Sequence, residues 1–252
     1  MSQSTDVTPA GLLSSALAED PARPLITYYD DATGERTELS VATLGNWVAK
    51  TANLLVDGCG LAPGDTAVAL LPAHWQTAAV LLGCWTAGVG TAHGAASDNP
   101  ASVDVVFAAA DRTDEARHWP SDERYALALA PLAAPLRNVP PGFADFVVEV
   151  RQHGDRFVPT APVDPDDPGL LGLPRGPLSH RALGTAGAER AAALGLESGG
   201  RLLVVDSPEA PTRPLDWLLA PLAARASVVL CRNTDPEKLP ARAEQERITT
   251  TV

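Results

Sequence analysis

Leu61-Ala62-Pro63-Gly64-Asp65-Thr66-Ala67-Val68-Ala69-Leu70-Leu71-Pro72 is the stretch on which the fold turns. Pro63-Gly64-Asp65 is a turn, and Thr66–Leu71 is short and apolar enough for a strand buried on both faces. Behind it, about His74 to Ala87 predicts a helix that carries Ala78, Leu81, Leu82 and Trp85 inward and stops at Gly88. In front of it, Ser40 caps a predicted helix through about Asp57, with Val41, Leu44, Val48 and Leu55 on one face and Gly58 and Gly60 at its end. Farther out, Leu25–Tyr29 and Glu35–Leu39 flank Asp30-Asp31-Ala32-Thr33-Gly34, a hairpin connection. A short helix, Leu12–Ala18, precedes them.

Beyond the central stretch, strands are expected at Val89–Ala92, Val103–Ala108 and Tyr125–Ala130, with a helical segment near Asp111–Trp119. Residues 131–168 are Pro-rich and irregular, apart from Phe146–Val150, which has the composition of a strand. The pattern resumes after Asp164-Pro165-Asp166-Asp167-Pro168. It predicts a helix Ser179–Leu194, a strand Arg201–Val205, a helix Leu215–Ala224, a strand Ser227–Cys231, a helix Pro236–Arg247 and the start of a strand at Ile248–Val252. Such alternation implies an α/β fold with mainly parallel sheets flanked by helices. Residues 1–252 are expected to form a single domain, in which βα-rich parts at about 25–130 and 165–252 pack together because the second has too few strands to bury its own faces.

Composition excludes several function classes. The 252 residues are 45% hydrophobic, with 19 basic against 31 acidic side chains and a net charge of −12, so no basic face awaits a nucleic acid. No uncharged apolar run reaches the roughly 18 residues of a membrane span, and Met1–Asp6 lacks a secretory signal, which makes cytoplasmic localisation the expectation. Cys59, Cys84 and Cys231 are few and scattered, as reduced thiols are, and no CxxC or HExxH provides a zinc site. Lys50 and Lys238 are the only lysines amid abundant Arg and Ala, a bias of GC-rich bacterial coding.

Most residues with chemical potential have plain structural explanations. Gly88-Val89-Gly90-Thr91-Ala92-His93-Gly94 leads from a helix into a strand, whereas a phosphate loop must lead from a strand into a helix whose amides and dipole hold the anion. These glycines are therefore assigned to helix termination and close packing. His74 is expected in a helix cap, His93 at a strand end and Cys84 in the core. Ser179-His180 lacks a GxSxG elbow, and Asp164, Asp166 and Asp167 alternate with prolines as a solvated linker does.

The order Leu39 through Gly90, with Gly60-Leu61-Ala62-Pro63-Gly64-Asp65, a buried strand, Leu71-Pro72 and Gly83-Cys84-Trp85-Thr86-Ala87-Gly88, resembles the adenylate-forming (AMP-binding, acyl-CoA synthetase-like) superfamily. Leu194-Gly195-Leu196 through Arg201-Leu202-Leu203, Leu218-Leu219-Ala220-Pro221-Leu222 and Ala226-Ser227-Val228-Val229-Leu230 continue the resemblance, which spans only the N-terminal portion of a full-length member. It implies a truncated N-terminal domain akin to short degenerate adenylation-like proteins of high-GC bacteria.

Members of the superfamily hold ATP phosphates in a Ser/Thr/Gly-rich loop ending in Lys-Gly, with a His shortly after. The matching stretch here is Asp167-Pro168-Gly169-Leu170-Leu171-Gly172-Leu173-Pro174-Arg175-Gly176-Pro177-Leu178-Ser179-His180. Gly172, Arg175 and Gly176 align with the loop's tail and His180 with the His, one residue early; the hydroxyl-bearing front is missing. The superfamily's magnesium motif, ribose-binding Asp and C-terminal lid would lie beyond Val252. The resemblance therefore implies a catalytically degenerate binding or accessory protein with no catalytic residues, no metal site and at most weak ATP or AMP binding. A protein partner or a second copy would cover the edge left by truncation. The alternative is a fragment of an ATP-dependent carboxylate-activating ligase completed by a partner chain.

Overall fold

The computed structural model describes residues 7–94, 101–174, 176–207 and 211–252. Its elements run α1 (Pro9–Glu19), β1 (Pro24–Asp30), β2 (Glu35–Ser40), α2 (Val41–Asn53), β3 (Thr66–Leu70), α3 (Trp75–Ala87), β4 (Gly90–His93), β5 (Val105–Ala109), α4 (Thr113–Ala116), β6 (Glu123–Leu127), β7 (Ala144–Asp145) and α5 (Phe146–Val150). They continue with β8 (Pro168–Leu170), β9 (Leu178–Ser179), α6 (His180–Ala193), β10 (Arg201–Asp206), α7 (Ala220–Ala224), β11 (Ser227–Arg232), α8 (Leu239–Gln245) and β12 (Thr250–Thr251). Most pairings are parallel; β1–β2 and β8–β9 are antiparallel. The expected α/β class with mainly parallel sheets is what the chain adopts.

Local chemistry accounts for the element boundaries. Thr8 Oγ1 accepts from Gly11 N at 3.1 Å, and Pro9 opens α1, where a missing N–H costs nothing. Ser40 Oγ accepts from Thr43 N, the expected cap of α2, which ends in a π-helical turn over Leu54–Gly58. The hairpin between β1 and β2 turns on Asp30, whose Oδ1 accepts from Ala32 N, and on Gly34 at φ +74°.

One sequence expectation fails here: Phe146–Val150 is a helix. Asp145 caps it, accepting from Val147 N at 2.8 Å and Val148 N at 3.2 Å. That cap settles the conformation over the strand preference of Phe-Val-Val. The helix expected near Asp111–Trp119 is a single turn, α4, after a short 3₁₀ segment.

The chain divides into two compact units. The first comprises Met1–Leu44, Ala73–Ala78 and Arg181–Val252, and holds a five-stranded sheet of order β12-β10-β11-β1-β2. The N-terminal strands β1 and β2 thus complete the sheet of the C-terminal stretch, which on its own had too few strands. One face of this sheet packs Leu203, Val229 and Cys231 against Leu239 and Ile248. A charge network around the buried Glu246 lies on the same side, where Glu246 takes Arg201 at 2.6 Å, Arg36 at 3.0 Å and the Tyr29 hydroxyl. Arg242 lies over the Tyr29 ring and pairs with Asp31 at 2.7 Å.

The second unit, Gly45–Pro72 and Ala79–His180, holds a seven-stranded sheet of order β7-β6-β5-β3-β4-β8-β9. Val68, Leu70, Val106 and Ala108 pack with Ala116 and Trp119 on one face. On the other, Phe107 stacks on Tyr125 and meets Phe146 edge-on. Strands β8 and β9 lie at the edge of this sheet and escaped the sequence pattern, because three- and two-residue strands carry no measurable period.

Candidate functional site

The stretch aligned with a phosphate loop is the connection of the β8–β9 hairpin, so Gly172 and Gly176 share one turn and His180 follows immediately after β9. Gly172 and Gly176 have φ of +73° and +92°, conformations that a residue with a Cβ enters at a cost. Arg175 lies outside the described residues.

The base of the hairpin is clamped to α3 and β4 of the same unit. Trp85 Nε1 donates to the Gly169 carbonyl at 2.8 Å and approaches Thr91 Oγ1 at 3.0 Å, while the Thr91 hydroxyl also donates to that carbonyl at 3.2 Å. The contact leaves no room for a Cβ at Gly90 and little at Gly169. A Cβ on Gly90 would stand 2.7 Å from the Pro168 oxygen, and one on Gly169 would stand 3.0 Å from His180 Nδ1. Close packing at Gly88 and Gly90 is the role the sequence assigned to that glycine cluster; at Gly88 (φ +80°) a Cβ would meet Pro63 at 2.9 Å. Sequence reasoning placed Trp85 in the core but missed Trp85, Thr91 and Gly169 as a clamp, which residues 78 positions apart do not advertise.

Several amides in and beside the loop are already bonded within the fold. Leu171 N donates to Thr91 O at 2.8 Å, Gly176 N to Leu173 O at 3.0 Å and His180 N to Asp167 O at 3.0 Å. Pro174 and Pro177 carry no N–H. Among the described residues of the loop, Gly172 and Leu173 keep the amides that lie outside these bonds.

His180 is buried, with Nε2 shielded from solvent and unpartnered. Burial lowers its pKa, against the charge of Asp167 and a backbone hydrogen bond with Gly88. A neutral imidazole wedged on the Gly169 backbone is placed to pack rather than to carry charge. His93 ends β4, and burial lowers its pKa to about 4. His74 lies in the cap of α3, where its Nδ1 accepts from Gln76 N at 3.0 Å. Cys84 is fully buried, and burial pushes its thiol pKa up. Among the described residues, no three His, Cys, Asp or Glu side chains converge to hold a metal ion, and no helix is long and apolar enough to cross a membrane.

No family model matches the chain. A protein of Mycobacterium tuberculosis (strain ATCC 25618 / H37Rv) named "TIGR03089 family protein" is 42% identical over 243 residues, covering 94% of this chain and 95% of its own length. Among solved structures, an acyl-CoA synthetase of Brucella canis superposes with a TM-score of 0.77 at 18% identity, over 97% of this chain and 46% of its own. The N-terminal domain of FACL13 from Mycobacterium tuberculosis gives 0.69 at 14% identity, over 96% of this chain and 61% of its own. An ATP-bound RpMatB-BxBclM chimera gives 0.68 at 18% identity, over 95% and 48%. These similarities establish the fold, that of the N-terminal portion of the synthetases; the chain spans about half the length of the whole enzymes it matches.

Proposed function

Since the chain belongs to the TIGR03089 family and has the fold of an acyl-CoA synthetase N-terminal portion, we propose that it is a catalytically degenerate relative acting as a binding or accessory protein. The supporting observation is the state of the loop between β8 and β9. A loop that neutralises a triphosphate does so with backbone amides, hydroxyls and a cation. Here two amides are bonded within the fold, two positions are proline, and residues 171–177 contain no hydroxyl side chain. The remaining polar equipment is the planar cation of Arg175 with the amides of Gly172 and Leu173, beside Gly176, whose own amide is bonded. His180 packs on Gly169 and has no substrate proton to handle in this reading.

Each charge-assisted hydrogen bond to phosphate contributes about 1.5–3 kcal/mol, so losing several leaves ATP or AMP binding on the order of millimolar and sensitive to salt. The test is carboxylate-dependent pyrophosphate exchange by the purified chain, with nucleotide binding followed in parallel. No exchange is expected with any acyl or amino-acid substrate, and Arg175→Ala is expected to abolish the residual nucleotide binding. Robust exchange by the chain alone overturns the proposal.

One observation favours a second reading. The whole synthetases extend over roughly twice the aligned length, which fits a ligase portion completed by a partner protein. Exchange that appears only when a second purified chain is added would select it. Neither reading calls for nucleic acid or a membrane, and the cytoplasm is the compartment we propose for both.

A further inference from the structure

The β7 edge of the seven-stranded sheet presents apolar side chains to solvent. Leu132 is 89% exposed, more than any other large hydrophobic among the described residues, and Val139 and Val148 are 45% and 47% exposed. Polar contacts gather these positions at one edge. The Asp145 carboxylate accepts from Leu136 N at 2.6 Å and from Val148 N at 3.2 Å, so the stretch before β7 lies against the first turn of α5. Arg151, three residues after Val148, donates to the Ala133 carbonyl at 3.0 Å and fixes the turn that carries Leu132.

That turn is held in a costly conformation. Leu129, Leu132 and Ala133 have φ of +50°, +57° and +50°, a region in which a Cβ crowds the backbone. The Leu132 side chain buries almost no surface, and glycine would adopt the same backbone freely, so this leucine contributes little to the isolated chain. Strain kept at such a position points to a contact outside the chain.

The charges indicate what makes that contact. From Ala128 to Gly142 there is no carboxylate, and Arg137 is the one charged residue, in a chain of net charge −12. Arg137 is exposed and makes no ion pair or hydrogen bond among the described residues. The Glu149 carboxylate on α5 takes the neutral Gln152 amide at 3.0 Å and no cation among the described residues. An unpaired cation and an unpaired carboxylate at one edge are self-complementary about a two-fold axis, since each Arg137 then faces the Glu149 of a second copy. Two chains this acidic repel one another, and a stretch without carboxylates lowers that cost. Strand addition is not the mode of contact, because β7 has two residues and offers too short an edge.

We infer that this edge is a docking surface for a second copy of the chain, with Leu132 of each copy against the apolar side chains of the other and Arg137 opposite Glu149. The contact uses neither the β8–β9 loop nor the strand edge at Ile248–Val252, and it stands independently of the function proposed above. Few side chains take part, so the dissociation constant is expected on the order of 10 µM.

Sedimentation equilibrium of the full chain from about 1 to about 500 µM tests the inference, and a reversible monomer–dimer equilibrium is expected. Leu132→Asp is expected to weaken the dimer about tenfold or more. Leu132→Gly is expected to weaken it comparably without lowering the melting temperature of the monomer, because glycine accepts the left-handed turn. Arg137→Glu and Glu149→Arg are each expected to weaken it about fivefold, and the two together to restore it to within about twofold, a recovery that a purely structural role for either residue would not give. Three results overturn the inference. One is a monomer at every concentration, which leaves the surface to a different protein. Another is a dimer that both Leu132 variants leave intact, which places the contact elsewhere. The third is a double charge exchange that recovers nothing. Leu132 is exposed and Leu132→Gly removes strain, so that variant keeps the test decisive if a charged substitution fails to fold.

Discussion

Replacing Gly90 with alanine should unseat the hairpin that carries the candidate loop. The new Cβ would lie 2.7 Å from the Pro168 carbonyl oxygen, a backbone atom that cannot rotate away. Ordinary contact begins near 3.4 Å, so β8 must retreat by roughly 0.7 Å or β4 must buckle. Overpacking of this kind costs about 1–3 kcal/mol. The same retreat stretches the 2.8 Å bond from Trp85 Nε1 to the Gly169 carbonyl, adding about 0.5–1.5 kcal/mol. The total, about 1.5–4.5 kcal/mol, corresponds to a melting temperature lower by roughly 3–18 °C for a chain of this size. Thermal and urea denaturation measure the total, and a double-mutant cycle with Trp85→Phe isolates the second part. Since Gly90→Ala already spoils the Trp85 bond, the two changes together should cost about 0.5–1.5 kcal/mol less than their sum. A Gly90→Ala protein melting within a degree or two of the parent, or strict additivity with Trp85→Phe, would refute the clamp.

Three further outcomes are expected. Burial, with a smaller contribution from Arg232, holds the His74 pKa at about 3, against about 6.5 in an unfolded chain. The unfolded state therefore takes up the proton first, and stability should decline as pH falls below about 6.5, level off near 3 and lose on the order of 5 kcal/mol in between; His74→Phe should flatten that part of a denaturation-versus-pH profile. Burial raises the Glu246 pKa, but hydrogen bonds from Tyr29 and Arg36 and the charges of Arg201 and Arg36 outweigh it and leave the carboxyl lowered, so its stabilisation is present above the ordinary carboxylate range and lost as pH falls through it. Glu246→Gln should cost about 2–3 kcal/mol in urea melts at pH 7, and less as pH falls below the ordinary carboxylate range toward the lowered pKa. Finally, we expect the two units to unfold in one transition, because three of the four boundaries between them fall within α2, α3 and α6; limited proteolysis that released two separately melting pieces would count against this.

Much of the fold was legible in the sequence because hydrophobic period is a local property. Thr66–Leu70, buried along its length, and the inward face of α3 announce a parallel sheet to anyone counting residues. The hairpin turn at Asp30–Gly34 and the Ser40 cap are equally local, since each is a few atoms closing on their own neighbours. Phe146–Val150 was misread because a β-branched run speaks for a strand, while the deciding atoms belong to Asp145, one residue earlier. That Gly172, Gly176 and His180 follow one another within one short stretch was legible from the chain order alone, and so was the loop's shortage of hydroxyls. What the loop does with its amides was not, because the partner of Leu171 N is Thr91, on a strand 80 residues earlier. A cross-strand row in the five-stranded sheet, Asp206–Arg232–Asp30–Glu35, lies still farther from any local signal. Its members come from four strands at both ends of the chain, and only register places them side by side: slipping one strand by one residue turns its member to the opposite face. Elements with their own period were thus determined by the sequence itself, and the chemistry that depends on who stands opposite whom was decided by the tertiary structure.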